Sequence, residues 1–213
     1  MAPSQTVLDL FFKSLSFTEK KLQEKIIEVS SIESLAPNEW VIKQGQYINW
    51  LVFVLNGNVR VWQEHELKEI SLYYVRPYQT CALSLAATLR DCKSSVFAKT
   101  TEPTGVLKIP VRHIAASFFQ FKSWNRFALN TFINSYETLL EDYSTLAFKT
   151  IPERLMDYLY NEVKAQNSTE LHLTHQALAN EIGTSREVVS RTLKQFEDTG
   201  LIERSFKKIR VVT

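Results

Sequence analysis

The chain has 213 residues, 45% of them hydrophobic and 12% aromatic, so it can bury one large core or two ordinary ones and is not a disordered chain. The formal net charge of +2 is too small to indicate a nucleic-acid partner by itself. No stretch approaches the ~18 apolar residues of a membrane-spanning helix. Residues 1–10 also lack the pattern of a signal peptide, so the sequence predicts a cytoplasmic protein.

The two cysteines and the missing catalytic motifs argue against a metal site or an enzyme. Cys81 and Cys92 are eleven residues apart, which fits neither a zinc site nor a disulfide framework and predicts reduced thiols. The sequence contains no glycine-rich phosphate loop, no HExxH motif and no nucleophile elbow. We therefore predict that the protein has no metal and is not an enzyme.

The chain begins with a helical pattern and continues with short β-rich runs. In residues 4–30, apolar residues recur at helical spacing, and Ser16 or Thr18 would cap the second of two helices. From about residue 32 to 109, strands are predicted at 39–42, 50–55, 59–62, 69–75, 95–100 and 105–109. Asn56-Gly57-Asn58 predicts a hairpin turn between two of them. Strands this short and evenly spaced indicate a small barrel or roll.

Residues 121–148 carry the longest helical pattern. Apolar residues follow alternating spacings of four and three, which is typical of a coiled-coil seam between two copies: Leu129, Ile133, Tyr136, Leu140, Tyr143 and Ala147. A second column, Phe132, Leu139 and Leu146, would pack on the β-rich part. The alternative is a single helix buried in a monomer. Ile151-Pro152 predicts a break and a hinge, followed by a helix at 154–163.

Residues 171–212 predict two short helices and a small wing. Thr174 would cap the first helix, which ends at Gly183, and Thr184 with Glu187 forms a capping box for a second helix at 184–198. Val189, Leu193 and Phe196 would face inward. Strands on either side of Lys207-Lys208 would form a two-stranded wing with a basic tip.

The outer face of the second helix carries Arg186, Glu187, Ser190, Arg191 and Lys194. Such a face suits the major groove of DNA, because Arg can donate to guanine and Glu can accept from the amino group of cytosine. The alternative is a solvated helix face on which Glu187 only completes the cap. Residues 184–213 hold seven Lys or Arg against four acidic residues, which is a modest electrostatic footprint.

The run Ser185–Lys194, followed by Glu197-Asp198-x-Gly200-Leu201-Ile202, closely resembles the winged helix-turn-helix of the Crp/Fnr family of bacterial transcription regulators. Residues 53–61 similarly resemble the cyclic-nucleotide-binding β-roll of that family. The resemblance implies an α+β fold, with a β-roll (double-stranded β-helix) sensor domain at 1–116, a long dimerisation helix at 117–149 and a winged helix-turn-helix at 150–213. It also implies a homodimer that binds double-stranded DNA and contacts RNA polymerase.

By this resemblance, Arg186, Glu187 and Arg191 match positions that read bases, and we add Ser190 from the same helix face. Thr174, His175 and Gln176 match positions near phosphates, and we assign Lys194, Lys207 and Lys208 to phosphates as well. The rival interpretation is a small-molecule-binding module whose helix-turn-helix docks a protein partner.

The predicted sensor pocket departs from the family pattern. In cyclic-nucleotide binders of the family, a segment opens with Gly-Glu, whose carboxylate accepts from ribose, and closes with Arg-Ser, whose guanidinium neutralises the phosphate. The corresponding residues 78–95 contain no Gly and no Glu. Cyclic AMP is therefore not expected, because a buried ribose hydroxyl without an acceptor costs about 1–3 kcal/mol.

Ser84, Arg90, Lys93 and Ser94 remain candidates for holding an unidentified anionic effector. The alternative for this segment is a helical turn that packs Leu83, Leu85 and Leu89. An iron–sulfur cluster would need four cysteines, and haem would need axial ligands, for which His65 and His113 are far apart in sequence, so neither cofactor is expected.

Overall fold

The computed structural model describes residues 5–65, 68–89, 93–205 and 208–212, apart from the side chains of Gln5, His65 and Lys68. The chain divides into two units. The first comprises Met1–Glu64 and Leu72–Thr138, and the second comprises His65–Ser71 and Leu139–Thr213.

The first unit opens with the two predicted helices, α1 (Gln5–Ser14) and α2 (Lys20–Val29). Their buried residues include Leu8, Phe11 and Leu22, as the helical spacing predicts. The predicted caps Ser16 and Thr18 are wrong, because the N-cap residue of α2 is Glu19. The carboxylate of Glu19 instead accepts bonds from the hydroxyl and the backbone N–H of Ser123, the latter at 3.1 Å, and these bonds lower its pKa.

Seven strands follow in chain order: β1 (Ser31–Leu35), β2 (Trp40–Ile42), β3 (Trp50–Asn56), β4 (Val59–His65), β5 (Lys68–Val75), β6 (Phe97–Thr100) and β7 (Thr104–Pro110). They form one sheet in the order β1-β7-β3 and a second in the order β2-β6-β4-β5. The pairings β1-β7, β3-β7, β2-β6 and β4-β6 are antiparallel, with Phe53 opposite Leu107 and Val61 opposite Ala98. This arrangement agrees with the predicted β-roll.

The predicted hairpin at Asn56-Gly57-Asn58 is wrong. β3 pairs with β7, whereas β4 pairs with β6, so the chain passes from one sheet to the other at Gly57. Gly57 has φ +80°, and a Cβ there would lie 2.5 Å from Oγ1 of Thr104 and 2.6 Å from the carbonyl oxygen of Pro103. Glycine is therefore required at this corner both by its backbone conformation and by the close approach of the neighbouring strand.

Two apolar clusters hold the first unit together. The larger joins α1, α2 and the β1-β7-β3 sheet around aromatic side chains that include Phe11, Phe17, Phe53 and Trp124. The smaller consists mainly of valines from both sheets: Val54, Val59, Val61, Val75 and Val96, with Cys81 and Ala98. This second cluster surrounds the cavity described below.

The segment proposed to replace the nucleotide-binding motif contains a short helix, α3 (Ala82–Ala87). Leu85 is buried, but Leu83 and Leu89 are exposed, so only one of the three leucines packs as the helical alternative predicts. Cys81, which precedes the helix, is a buried free thiol. Cys92 and Arg90 lie outside the described residues.

After β7, a short helix α4 (Val111–His113) continues through a π-helical turn, Ile114–Phe118, towards the long helix α5 (Lys122–Phe148). The predicted bounds of α5 are confirmed within one residue. Phe132 packs on the large cluster. Leu139 and Leu146, the other two members of the second column, belong to the second unit and are exposed.

The second unit contains α6 (Ile151–Gln166), β8 (Glu170–Leu171), α7 (His175–Ile182), α8 (Arg186–Asp198), β9 (Ile202–Ser205) and β10 (Lys208–Val211), with the sheet order β8-β10-β9. α6 begins three residues earlier than predicted, because Thr150 and Glu153 form a capping box. Pro152 lies in the first turn of α6, where backbone N–H groups have no intrahelical acceptor. Proline therefore costs no helical hydrogen bond at this position and is compatible with the start of a helix. The third wing strand, β8, is not predicted from the sequence.

Among the described residues, no helix is long and apolar enough to cross a membrane. In the same part of the chain, no group of three or more His, Cys, Asp or Glu side chains is arranged to hold a metal ion.

Candidate nucleic-acid interface

The turn between α7 and α8 fixes the position of the second helix. Thr174 caps α7 as predicted, its Oγ1 accepting from the backbone N–H of Ala177 at 3.1 Å. Gly183 ends α7 with φ +66°, and the N–H of Thr184 then donates to the carbonyl of Ala179 at 2.9 Å. A Cβ at Gly183 would meet nothing within 4 Å, so the left-handed backbone is the reason for glycine here.

The predicted cap of α8 is wrong by one residue. Because the amide of Thr184 closes the turn after α7, the N-cap residue is Ser185, and the helix begins at Arg186. The Ser185 hydroxyl accepts from the N–H of Val188 at 3.4 Å. Glu187 does not complete a capping box with Thr184. Hydrogen bonds from its own backbone N–H and from the Ser185 hydroxyl lower the pKa of its carboxyl, so Glu187 is an exposed, ionised acceptor near the helix start.

α8 has the two faces that the sequence predicts. Val189, Leu193 and Phe196 are buried in the core of the second unit, which also contains Leu159 of α6 and Ile209 of β10. The opposite face exposes four charged residues, Arg186, Glu187, Arg191 and Lys194. The apolar face therefore holds α8 in place and leaves these charged side chains directed to solvent.

The described cations of the wing and of α8 differ in their pairing. Those of the wing are paired: Arg204 bonds Glu197 through Nε at 3.0 Å, Arg210 bonds Glu203 at 3.1 Å and Lys208 bonds Glu170 at 3.1 Å. The pairs with Arg204 and Lys208 lower the pKa values of the Glu197 and Glu170 carboxyls. By contrast, Arg186, Arg191 and Lys194 form no salt bridge with any residue that the structure describes. The outer face of α8 therefore presents three cations that are not held in salt bridges.

His175 and Ser190 connect the start of α7 to α8. Nδ1 of His175 lies 2.8 Å from Oγ of Ser190, and this hydroxyl donates to the carbonyl of Arg186 at 2.9 Å. The single donor of Ser190 is thus used inside the protein, so it can offer a base only an acceptor. Burial, followed by the charges of Arg204 and Arg186, lowers the pKa of His175, which makes the ring neutral at pH 7.

The predicted phosphate-contacting residues occupy two places. Thr174, His175 and Gln176 are at the N-terminus of α7, where backbone N–H groups without intrahelical partners favour anions. The side chain of Gln176 donates to Oδ1 of Asn180 at 2.8 Å. Lys194 lies on α8 and Lys208 on β10, whereas Lys207 lies outside the described residues.

One contact that supports the helix-turn-helix cannot be predicted from any pattern in the sequence. Nη1 of Arg154 in α6 donates to the carbonyl of Ile182 at 2.9 Å and so satisfies the C-terminal end of α7. The two residues are 28 positions apart and belong to no local motif, so only the tertiary structure identifies Arg154 as a residue that supports the helix-turn-helix.

Comparison with known proteins supports the same reading of the second unit. Residues 153–213 match the model of the Crp-like helix-turn-helix domain. A comparison with curated proteins gives no match.

Solved structures extend the likeness to nearly the whole chain. A Crp/Fnr-family transcriptional regulator from Eubacterium rectale superposes with a TM-score of 0.86 at 20% identity, over 95% of this chain and 94% of that one. The c-di-GMP-responsive regulator CLP from Xanthomonas campestris gives a TM-score of 0.76 at 19% identity, over 92% and 100%. A CRP-family regulator from Thermus thermophilus gives 0.68 at 16% identity, over 85% and 92%. These likenesses establish the fold, and the domain match establishes the helix-turn-helix.

Residues 153–213 are therefore a Crp-like helix-turn-helix domain, and the chain has the fold of the Crp/Fnr-type regulators to which it is similar.

The first unit contains a cavity of about 580 Å³ at the place of the predicted sensor pocket. Of the predicted effector residues, Ser84 and Lys93 line it. Ser94 does not, because it is buried and donates its hydroxyl to the carbonyl of Val96 at 2.8 Å. Arg90 lies outside the described residues. No carboxylate is present among the described lining residues, so the cavity offers no acceptor of the kind that a cyclic nucleotide requires for its ribose.

Proposed function

We propose that the chain is a Crp/Fnr-type transcription regulator that acts in the cytoplasm as a homodimer and reads a palindromic DNA site through α8. Arg186, Glu187 and Arg191 contact base edges, with Ser190 as an acceptor beside them. Thr174, His175, Gln176, Lys194, Lys207 and Lys208 contact phosphates. Residues 1–116 form the sensor domain, 117–149 the dimerisation helix and 150–213 the DNA-binding domain.

The observation that carries base reading is the charge distribution on α8. Arg186 and Arg191 are exposed on the outer face and form no salt bridge with a described residue, whereas Lys208 and Arg210 of the wing are paired. A guanidinium needs free donors to make two hydrogen bonds to guanine. Glu187, held ionised at the start of α8, supplies an acceptor for cytosine.

Dimerisation is supported by the apolar face of α5. Leu129, Ile133, Tyr136, Leu140 and Tyr143 continue the heptad spacing, yet their side chains are 46–69% exposed in the single chain. An apolar stripe of this length on a soluble helix favours pairing with a second, similar helix. Two copies are also what DNA reading requires, since a dimer presents two recognition helices to half-sites about 34 Å apart.

The same architecture suggests how an effector could regulate the protein and which partner it contacts at a promoter. An effector in the cavity of the first unit would favour one arrangement of the dimer only if it bound that arrangement more tightly. RNA polymerase is the expected partner at the promoter, as the family resemblance implies.

The test is selection of DNA from a random pool by the purified full chain without added ligand, followed by fluorescence anisotropy on the enriched sequence. We expect a palindrome with half-sites about one helical turn apart, ~10 base pairs between centres. Sedimentation of the complex would give two chains per site.

Two other results have distinct meanings. Enrichment of no sequence, together with persistent binding to all DNA, would contradict ligand-independent site reading and would indicate a protein that needs its effector. The absence of any DNA binding at low salt would contradict the proposed function and favour the rival, in which the helix-turn-helix docks a protein.

A further inference from the structure

We propose that the cavity of the first unit binds an apolar molecule that carries a single anionic group, such as a medium-chain carboxylate, in place of a cyclic nucleotide. This inference rests on the proposed function, because it names the chemical class of the effector. It comes from three features of the cavity: an apolar floor, a rim that carries aromatic rings and ammonium groups, and the absence of carboxylates among the described lining residues.

The floor of the cavity is made of small aliphatic side chains from both sheets. Val54 of β3, Val59 and Val61 of β4, Val75 of β5 and Ala98 of β6 all line it, and each is at most 4% exposed. None of these side chains can donate or accept a hydrogen bond. A ligand that reaches this floor must therefore present hydrocarbon to it, since an unpartnered polar group there would be costly.

The rim is built from the segment Gly45–Trp50 and from two lysines. Tyr47 and Trp50 line the cavity and remain 53% and 43% exposed, which places them at its open side. Nζ of Lys93 lies 5.4 Å from the centre of the Tyr47 ring, and Nζ of Lys108 lies 5.5 Å from that of Trp50. Positive charge is thus concentrated where a ligand would enter.

The two lysines are not equivalent. Nζ of Lys108 is 2.8 Å from a carboxylate oxygen of Glu33, so its charge is already paired. Lys93 is held close to Tyr47 by pairing of the two backbone segments: residues 47 and 93 form a β-bridge, and the N–H of Ser94 donates to the carbonyl of Gln46 at 2.7 Å. Lys93 is therefore the better partner for a ligand anion.

The dimensions and the polarity agree with this ligand class. A cavity of about 580 Å³ lies within the range of ~300–1,000 Å³ that is usual for small-molecule sites, which are mostly apolar with a few polar groups. Ser84, Gln46 and Asn49 add uncharged polar groups along its wall. A cyclic nucleotide would place a ribose and a base bearing several donors and acceptors against a mainly aliphatic floor.

The experiment measures binding of three probes to the purified full chain by isothermal titration calorimetry without DNA: octanoate, octan-1-ol and cyclic AMP. Three variants are compared with the unmodified chain. Lys93→Met removes the proposed anion partner at an exposed position, and Ala98→Phe fills the floor. Lys99→Met is the matched control, because Lys99 is adjacent to Ala98 but its ammonium lies 4.6 Å over the Trp40 ring, away from the cavity lining.

We expect octanoate to bind with one molecule per chain, and Lys93→Met to weaken it about tenfold while leaving octan-1-ol unchanged, as loss of a charge-assisted contact predicts. Ala98→Phe should abolish binding of both alkyl probes, and Lys99→Met should change neither. Circular dichroism with thermal unfolding is used to check that the Ala98→Phe variant is folded. The Lys93→Met variant tests the role of the charge independently of that check.

The proposal is overturned if neither alkyl probe binds, if Ala98→Phe leaves their binding intact, or if cyclic AMP binds more tightly than octanoate. An equal loss of octanoate and octan-1-ol in Lys93→Met would overturn the anion partner. Because no DNA is present, these results are independent of the DNA selection. Failure of DNA reading would contradict the proposed function without changing the outcome of this titration.

Discussion

His175 lies between the first turn of α7 and the recognition helix α8, with its Nδ1 2.8 Å from the Ser190 hydroxyl. Burial is the largest cause that lowers its pKa below the ordinary value of 6.5, followed by the charges of Arg204 and Arg186. A histidine whose pKa is lowered by folding binds its proton more tightly in the unfolded chain. Its stabilising contribution is therefore complete above pH ~6.5 and is lost as the pH falls through that value.

The lowered pKa of His175 predicts how the stability of the protein changes with pH. The free energy of unfolding, measured by urea titration, should fall between pH 7.5 and pH 5.5, and His175→Gln should remove part of that decline. Gln keeps hydrogen-bonding capacity towards Ser190 but cannot take up the proton. An identical decline in the variant and the unmodified chain would show that His175 does not contribute to it.

Gly57 offers a second test at a single residue. Gly57 and Gly45 have almost the same positive φ, +80° and +83°, but only at Gly57 would a Cβ meet neighbouring atoms closer than 3 Å. Gly57→Ala and Gly45→Ala therefore share the cost of a left-handed alanine, and the difference between them measures the clash with Thr104. We expect Gly57→Ala to lose about 1–3 kcal/mol more of the free energy of unfolding in urea titration. Equal losses would mean that the corner adapts to a side chain.

At the level of elements, sequence periodicity predicts which helices form and which faces they bury. α8 shows this most clearly, since Val189, Leu193 and Phe196 are buried and the charged residues are exposed. The cap was predicted at Thr184 because the local motif matches there. The structure uses Ser185, since the amide of Thr184 is needed to close the turn after α7.

Strand pairing is less predictable than strand position. Asn56-Gly57-Asn58 has the composition of a hairpin turn, and strands do lie on both sides of it. The partners of these strands, β7 and β6, come much later in the chain, with Val54 opposite Val106 and Val59 opposite Thr100, and no local signal encodes them. The same reason explains why the wing strand β8 and the contact of Arg154 with Ile182 were not foreseen.

The apolar stripe of α5 can be tested as the contact between two copies of the chain. Leu140→Lys places a charge in the apolar stripe, at a side chain that is 46% exposed in the single chain, so folding of the chain should be unaffected. The charge would be buried between two helices in a dimer, and we expect the variant to sediment as a monomer at concentrations at which the unmodified chain is a dimer.

Thr138→Lys is the matched control for this prediction, because Thr138 is exposed on α5 but lies outside the heptad stripe. It should sediment like the unmodified chain. If Leu140→Lys remains a dimer, the contact between copies is formed elsewhere in the molecule.

For the molecule as a whole, the order of the structural parts can be predicted from the sequence, whereas the residues that line the cavity cannot. Ser84 and Lys93 were identified because they lie in the segment that replaces the nucleotide motif. The aliphatic side chains of the floor and the aromatic rings of the rim come from four strands, β3 to β6, and a loop, and only the roll brings them together. Sequence alone could therefore argue against cyclic AMP but could not describe an alternative ligand.

DNA affinity should depend on salt in a way that separates the two kinds of contact. Lys194 is exposed on α8, and a phosphate contact from it would release about one counterion. We expect Lys194→Met to weaken binding to the selected site and to scrambled DNA alike, and to reduce the slope of log K against log salt by about 1. A loss confined to the selected site would instead make Lys194 a base-reading residue.

Base reading by the exposed arginines of α8 is tested most directly by the ratio of affinities for selected and scrambled DNA, measured by anisotropy at fixed salt. Arg186→Ala and Arg191→Ala should each lower affinity for the selected site by about 1–3 kcal/mol and reduce this ratio. The control is Arg210→Ala, which removes a wing cation paired with Glu203 at 3.1 Å, and any loss it causes should be the same on both DNAs. An unchanged ratio in both α8 variants would contradict base reading by this helix.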